Sequence, residues 1–261
     1  MDVRNAELED IISAESMENA NNSTVKSRFS GMQWSQIVSN LNVLIVGAGG
    51  IGSWLAMNVA RLGVNSITIY DDDTVEVGNL SGQLLPSSGV GRKKSMVVCD
   101  EIIRYCSSVT MIPKDARYYN DEEYYDVVML AVDNMASRKN IVNAIKLRNK
   151  KPIAIVDGRL SVDELQIYNI ICSGNEQIKT YLNNKNCMFD DSEAFNTVCN
   201  MKQTSYMASM IGCYMTNSLV NIAANMTDEL AYSVPFLVKY SSSDMEFRKY
   251  EFDEWLELFK E

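Results

Sequence analysis

Three glycines, Gly47, Gly49 and Gly52, stand as G-x-G-x-x-G directly after the apolar run Asn42–Val46. A loop of this kind can hold phosphate. The first glycine permits a tight turn, the second lets phosphate approach the backbone, and the third lets a helix lie close on its strand. The N–H groups and dipole at the start of that helix attract negative charge. Asp71 ends the apolar run Ser66–Tyr70, where a carboxylate can hold ribose hydroxyls. So far NAD and ATP fit equally well. The residues downstream separate them. DDDTVEVGNLSGQ contributes Asp73, Asn79 and Gln83, and Lys94 comes next in VGRKK. Asp133 lies just after the apolar run DVVMLAV, a position that could also serve as an ordinary helix N-cap. A lysine, and a carboxylate at a strand end, supply what a triphosphate and its divalent cation need.

Composition narrows the chemistry further. The 261 residues contain no histidine, which excludes Ser-His-Asp and Cys-His catalysis and any His-ligated metal. The formal net charge of −10 argues against a nucleic-acid-binding surface, because phosphate contacts need clustered Lys and Arg. None of the six cysteines forms a C-x-x-C pair, so no zinc site is expected. Cys99 and Cys106, and Cys213 within an apolar helix, read as core. No long apolar run and no leader-like N-terminus is visible, so neither membrane nor secretion is expected and the setting reads as cytoplasmic.

The elements that must position these residues are legible as alternating runs. Strands are predicted over 42–46, 66–70, 109–113, 126–132 and 153–157, with helices over 51–62, 92–105 and 135–148. That alternation predicts an α/β fold: a Rossmann-like, doubly wound, mainly parallel sheet. Residues 164–172 then read as a strand with no crossover helix before it, hence antiparallel. Residues 175–200 read as polar and irregular, and 205–225 as a core helix. Residues 236–240 and 246–252 read as a hairpin, with a short helix after it over 253–260. An amphipathic helix is considered over 6–17, within an N-terminal arm of residues 1–26.

In order, SRFSG, VLIVGAGGIGS, YDDDTVEVGNLSGQ, VGRKK, AVDNMASR, VDGRLSVDELQIY and PFLVKYSSSDMEFRKY resemble the ThiF/MoeB/HesA adenylyltransferases, the adenylation domain shared with ubiquitin-activating-type enzymes. The resemblance implies one adenylation domain over 27–261, with a nucleotide-binding half (27–158) and a partner-binding, cysteine-bearing half (159–261). It implies ATP and Mg2+ as cofactors. It also implies a small ubiquitin-like (β-grasp) protein or sulfur carrier as partner, a homodimer, and in some members a conjugating enzyme. Carried over, Gly47, Gly49, Gly50, Gly52 and Ser53 line the phosphate loop. Asp71 holds the ribose, while Asp73, Asn79, Gln83, Lys94, Arg28 and Asn134 complete the nucleotide site. Asp133 holds the metal, and Lys94 counts among the catalytic groups. The family's Leu-x-Arg-Gln is here NLSGQ, with Gly82 in the arginine's place, and Gly31 stands where the lead-in usually ends in Arg. Arg28, Arg92 and Lys93 are the cations that could compensate.

A second chemical step would need a thiol. In family members that form a thioester, the cysteine precedes the long apolar helix. Cys199 in FNTVCNMKQTSYMASMIG holds that position, with Cys187 as the fallback. Three rival readings are adenylation of a ribosomal peptide, a catalytically weak scaffolding subunit of a heterodimer, and an NAD-dependent dehydrogenase.

Overall fold

Residues 29, 31–189, 204–226 and 232–259 are described by the structure, a computed structural model. In chain order the elements are α1 Gln33–Val38, β1 Asn42–Val46, α2 Gly50–Arg61, β2 Ser66–Tyr70, α3 Lys94–Ile103, β3 Thr110–Lys114, β4 Val127–Leu130, α4 Met135–Leu147, β5 Ala154–Leu160, β6 Glu164–Ile171, α5 Glu176–Asn183, α6 Ser205–Ala224, β7 Leu237–Ser241, β8 Glu246–Tyr250 and α7 Phe252–Leu258. A strand apolar on every residue is stable only when both its faces are covered. β4 is of that kind throughout and β1 from Val43 onward, and they sit side by side in the centre of the parallel region.

One eight-stranded sheet runs β3-β2-β1-β4-β5-β6-β7-β8. The first five of these strands are mutually parallel, and β6, β7 and β8 are antiparallel, as the sequence predicts. The register aligns the strand ends. Val46 lies level with Tyr70 and Leu130, and Leu130 lies level with Asp157. The loops leaving β1, β2 and β4 therefore open on one edge of the sheet, level with Asp157 of β5. β5 runs on past Asp157 into its pairing with β6, so one sheet continues across the expected boundary between halves at 158.

Each face carries its own core. On one side Leu55 of α2 and Met207, Ile211 and Met215 of α6 pack on β1, β5 and β6. α2 and α6 approach closely at Gly212, where an added Cβ would stand 3.0 Å from the Leu55 backbone nitrogen. On the other side α4, α5 and α7 cover the sheet. The C-terminal lobe there is held by aromatic packing. Phe236 lies 5.0 Å from Trp255 and 5.8 Å from Tyr168, and Trp255 lies 5.2 Å from Phe259, between ring centroids.

Three local expectations are corrected. The segment read as irregular contains α5, whose polar composition hides only three inward residues, Ile178, Tyr181 and Leu182. The short α1 has no counterpart among the predicted elements. Cys213 is exposed rather than core, because it lies on a stripe of α6 with Tyr206 and Asn217 that faces away from the sheet. Cys99 and Cys106 are buried as expected. The helix considered over 6–17 lies outside the described residues. Among the described residues no helix is long and apolar enough to cross a membrane.

The aromatic lobe makes a stability prediction. Trp255 is fully buried, so Trp255→Ala should cost about 3–5 kcal/mol through lost transfer free energy and a residual cavity. Urea unfolding should show a lower midpoint with an unchanged slope.

Candidate functional site

The glycine loop leaves β1 through Gly47, whose φ of +98° is closed to most side chains; a Cβ there would meet the Ala131 carbonyl oxygen at 2.6 Å. At Gly52 a Cβ would stand 1.8 Å from the Gly47 carbonyl oxygen. Both positions therefore need glycine for the loop to fold against α2 and the β4 loop. At Gly49 the nearest neighbour of an added Cβ is the Gln83 side-chain amide, 4.0 Å away. Gly49 caps α2 without a side chain, so the N–H groups of that helix start are free of side-chain capping. This is the cradle an anion fills.

Asp71 ties the loop to the rest of the site. One carboxylate oxygen accepts the Ala48 N–H at 2.7 Å and the other accepts the Asp73 N–H at 2.9 Å. Burial pushes its carboxyl above the ordinary range, against the pull of these two donors and of Lys94. Asp73 in turn accepts from the Lys94 ammonium at 2.7 Å. The backbone fixes that pair. Lys94 N–H donates to the Asp73 carbonyl, Val75 N–H to the Arg92 carbonyl, and Gly91 N–H to the Val75 carbonyl. Loop, ribose-side carboxylate and lysine thus form one connected chain.

The remaining expected residues divide into those that face the cradle and those that build it. Gln83 lies against Gly49 and its Oε1 is buried without a hydrogen-bond partner. Ser53 is fully buried; its hydroxyl donates to the Gly50 carbonyl and accepts the Leu84 N–H, so it ties the Gln83 segment to α2. The Asn79 side-chain carbonyl oxygen accepts the Glu76 N–H and fixes the turn before Gln83. Asn134 is the N-cap of α4, accepting from Ser137 N–H at 2.8 Å, and its amide donates to Asp133 at 2.9 Å. Asp133 therefore does not cap the helix and remains exposed at the strand end. Arg92 and Lys93 are engaged elsewhere, pairing with Asp100 and Asp115. Gly82 offers its carbonyl to the Trp54 indole N–H. Arg28 and Cys199 lie outside the described residues. Cys187 is buried, and burial pushes its thiol up to about 12, which disfavours the thiolate.

Nucleotide fits this arrangement: the helix-start N–H groups and the unpartnered buried Gln83 side-chain oxygen border the cradle, and Lys94 is linked to it through Asp73 and Asp71. Among the described residues no three His, Cys, Asp or Glu side chains come together as metal ligands. A divalent ion at Asp133 would have to take most of its ligands from phosphate and water, which is the usual coordination of magnesium.

Sequence reasoning missed a buried ionic network below this edge. Asp157 is fully buried and accepts from Arg138 Nε at 2.8 Å, Arg159 Nε at 2.7 Å and the Tyr181 hydroxyl at 2.7 Å. Arg138 also donates to the carbonyls of Val132 and Gly158. It therefore holds the backbone that presents Asp133. The available signal was an acid ending an apolar strand, repeated at Asp71, Asp133 and Asp157. Burial alone would raise the Asp157 carboxyl; Arg138, Arg159 and the Tyr181 hydroxyl override it and hold the carboxyl below its ordinary range.

Parallel sheet, glycine loop and strand-edge carboxylates define a doubly wound α/β protein. Comparison with known proteins narrows the class. The model of the ThiF family matches residues 22–254, and the chain belongs to that family. It is 26% identical over 225 residues to an adenylyltransferase and sulfurtransferase UBA4 of Meyerozyma guilliermondii, covering 84% of this chain and 51% of that protein. It is 28% identical over 145 residues to MOCS3 of Danio rerio, covering 53% of this chain and 31% of that adenylyltransferase and sulfurtransferase. A tRNA threonylcarbamoyladenosine dehydratase of Haemophilus influenzae is 30% identical over 124 residues, 45% of this chain and 47% of that protein. The chain thus spans about half the length or less of these curated relatives. Among solved structures, PaaA superposes with a TM-score of 0.65 at 19% identity, and E. coli MccB with ATP with 0.62 at 17%. The alignments cover 84% of this chain and 66% and 65% of those chains. These two likenesses support the fold.

The Asp157 network predicts a pH-dependent loss. Asp157→Asn leaves two buried guanidinium groups without their carboxylate and should cost about 3–5 kcal/mol near neutrality. Because the folded carboxyl is held low, this advantage is complete above the ordinary carboxylate pKa and fades as pH falls through the lowered folded value. Urea midpoints of wild type and variant should therefore differ most near neutrality and converge as pH falls below the ordinary carboxylate pKa of about 4.

Proposed function

We propose that this chain joins AMP, taken from ATP, to the C-terminal glycine carboxylate of a small ubiquitin-like or sulfur-carrier protein. A carboxylate oxygen bonds to the α-phosphorus, the bond from that phosphorus to the β-bridging oxygen breaks, and pyrophosphate leaves with the electron pair. The observation that carries the reading is Lys94, a buried ammonium joined through Asp73 and Asp71 to the glycine loop. Phosphoryl transfer depends on charge neutralisation and positioning, which a buried lysine linked to the glycine loop can supply. No proton-transfer residue is required, so the lack of histidine is no obstacle. Magnesium, held at Asp133 and the phosphates, would supply further neutralisation.

The names of the relatives support this reading: MOCS3 and UBA4 are called adenylyltransferases, and a SUMO-activating enzyme subunit of Dictyostelium discoideum is also similar, at 29% identity over 111 residues. In our reading the chain acts as a homodimer, and the Cys199 sulfur then bonds to the glycyl carbonyl carbon of the adenylate; the bond from that carbon to the phosphate oxygen breaks, AMP leaves with the electron pair, and a thioester remains. The MccB structures with MccA favour a second reading, a short peptide as the acyl substrate.

ATP–pyrophosphate exchange tests the proposal. Exchange should appear only with a partner ending in glycine or with a peptide substrate, and its absence with any partner would favour a scaffolding subunit. Lys94→Ala should lower kcat/KM for exchange by on the order of 100-fold while keeping a native circular-dichroism spectrum. Cys199→Ala should retain exchange and lose a thiol-reducible adduct; persistence of the adduct would exclude Cys199.

A further inference from the structure

Lys94 and Asp73 are unequally placed. The lysine side chain is 8% exposed and the aspartate side chain 63%, with 2.7 Å between Nζ and Oδ2. The backbone ladder linking residues 73–75 to 91–94 fixes this contact, so it is not a chance meeting of two flexible side chains. Asp73 also has its N–H held by Asp71, which in turn holds Ala48 of the glycine loop. The carboxylate therefore stands where the lysine would otherwise present its charge to an incoming phosphate.

We propose that Asp73 is a specificity-determining residue that occupies Lys94 in the nucleotide-free chain and makes the site select ATP as its divalent-metal complex over free ATP. The proposal rests on the reading of this edge as a nucleotide site and concerns its regulation. A phosphate bound at Nζ lies one contact away from the Asp73 carboxylate. With bare ATP, the polyphosphate meets that negative charge at short range and loses part of the attraction of Lys94. With a divalent cation on the phosphates, the same carboxylate faces a neutralised or positive neighbour, and the penalty vanishes or reverses. Discrimination thus arises from a built-in repulsion against the wrong species rather than from extra contacts with the right one. Neighbouring charges do not duplicate the role. Asp72 pairs with Arg117 at 2.9 Å, and Lys93 with Asp115 at 3.0 Å.

The test uses the full chain and a fluorescent ATP analogue, titrated once with excess EDTA and once with excess magnesium. Asp73→Asn should bind the metal-free analogue about tenfold more tightly than wild type, while in magnesium the two should agree within about threefold. Asp72→Asn removes an equal charge one residue away and should change neither titration by more than about twofold. In the nucleotide-free protein, Lys94 should react faster with an amine-acylating reagent in Asp73→Asn than in wild type, read by peptide mass spectrometry. Equal or weaker metal-free binding by Asp73→Asn would overturn the proposal, as would an effect of the same size in Asp72→Asn. If wild type and both variants bind no ATP analogue with or without magnesium, the nucleotide reading itself fails. The tenfold gap and the faster labelling together would establish the role of Asp73.

Discussion

The site hangs on the Asp71 carboxylate. Its two oxygens accept N–H groups from two different segments, Ala48 in the glycine loop and Asp73 in the stretch that leads to Lys94. Parallel strands bring the loops after β1 and β2 to one edge, but nothing in sheet geometry fixes how those loops lie against each other. A half-buried carboxylate with a donor on each oxygen does so, at the cost of partial desolvation that raises its pKa. Everything downstream takes its position from this clamp: Asp73 is oriented by it, Lys94 is held by Asp73, and the cradle at Gly49 is fixed from the other side.

A second clamp works one layer lower. Arg138 reaches from α4 to Asp157 on β5, and its remaining donors hold the carbonyls of Val132 and Gly158. Buried ion pairs seldom stabilise a fold more than apolar packing would, and are best understood where they fix geometry. Here the fixed geometry is the backbone just before Asp133. Arg159 lies 4.4 Å over the Tyr168 ring and shares Tyr181 with Asp157, so the same network reaches α5 and the aromatic lobe. The Asp133 carboxylate and the C-terminal lobe are thereby mechanically linked.

Much of this was legible in the residues. Apolar-rich runs marked β1, β2, β4 and β5 within a few residues, because a strand buried on both faces leaves few polar positions to confuse the pattern. The glycines and Asp71 were legible because their spacing is imposed by a strand–turn–helix geometry. Asp157 and Arg138 were not read as a pair: they are 19 residues apart in sequence and meet only through the α4 crossover. α5 escaped notice because three inward side chains among eight give a weak period. Ser53 and Asn134 show a further limit. Both sit at the expected place, yet their side chains are spent on internal bonds, and residue type alone does not say which way a hydroxyl or amide is used.

Gly82 and Gly31 bear on how the site balances charge. Neither carries a guanidinium, and the Gly82 carbonyl is taken by Trp54. Arg92 and Lys93, the nearest substitutes along the chain, direct their charge at Asp100 and Asp115. Among the described residues, Lys94 is the cation that the hydrogen-bond chain from the glycine loop reaches, and it is shared with Asp73. A triphosphate at this edge would therefore meet one lysine, the start of α2 and the carboxylates of Asp71 and Asp73. Such a site cannot neutralise polyphosphate from these side chains. The charge has to come with the nucleotide, as a divalent ion, or from elsewhere, as an arginine of a second copy. In the nucleotide reading, the described residues of this acidic strand edge thus leave most of the neutralising charge to a cation brought from outside them.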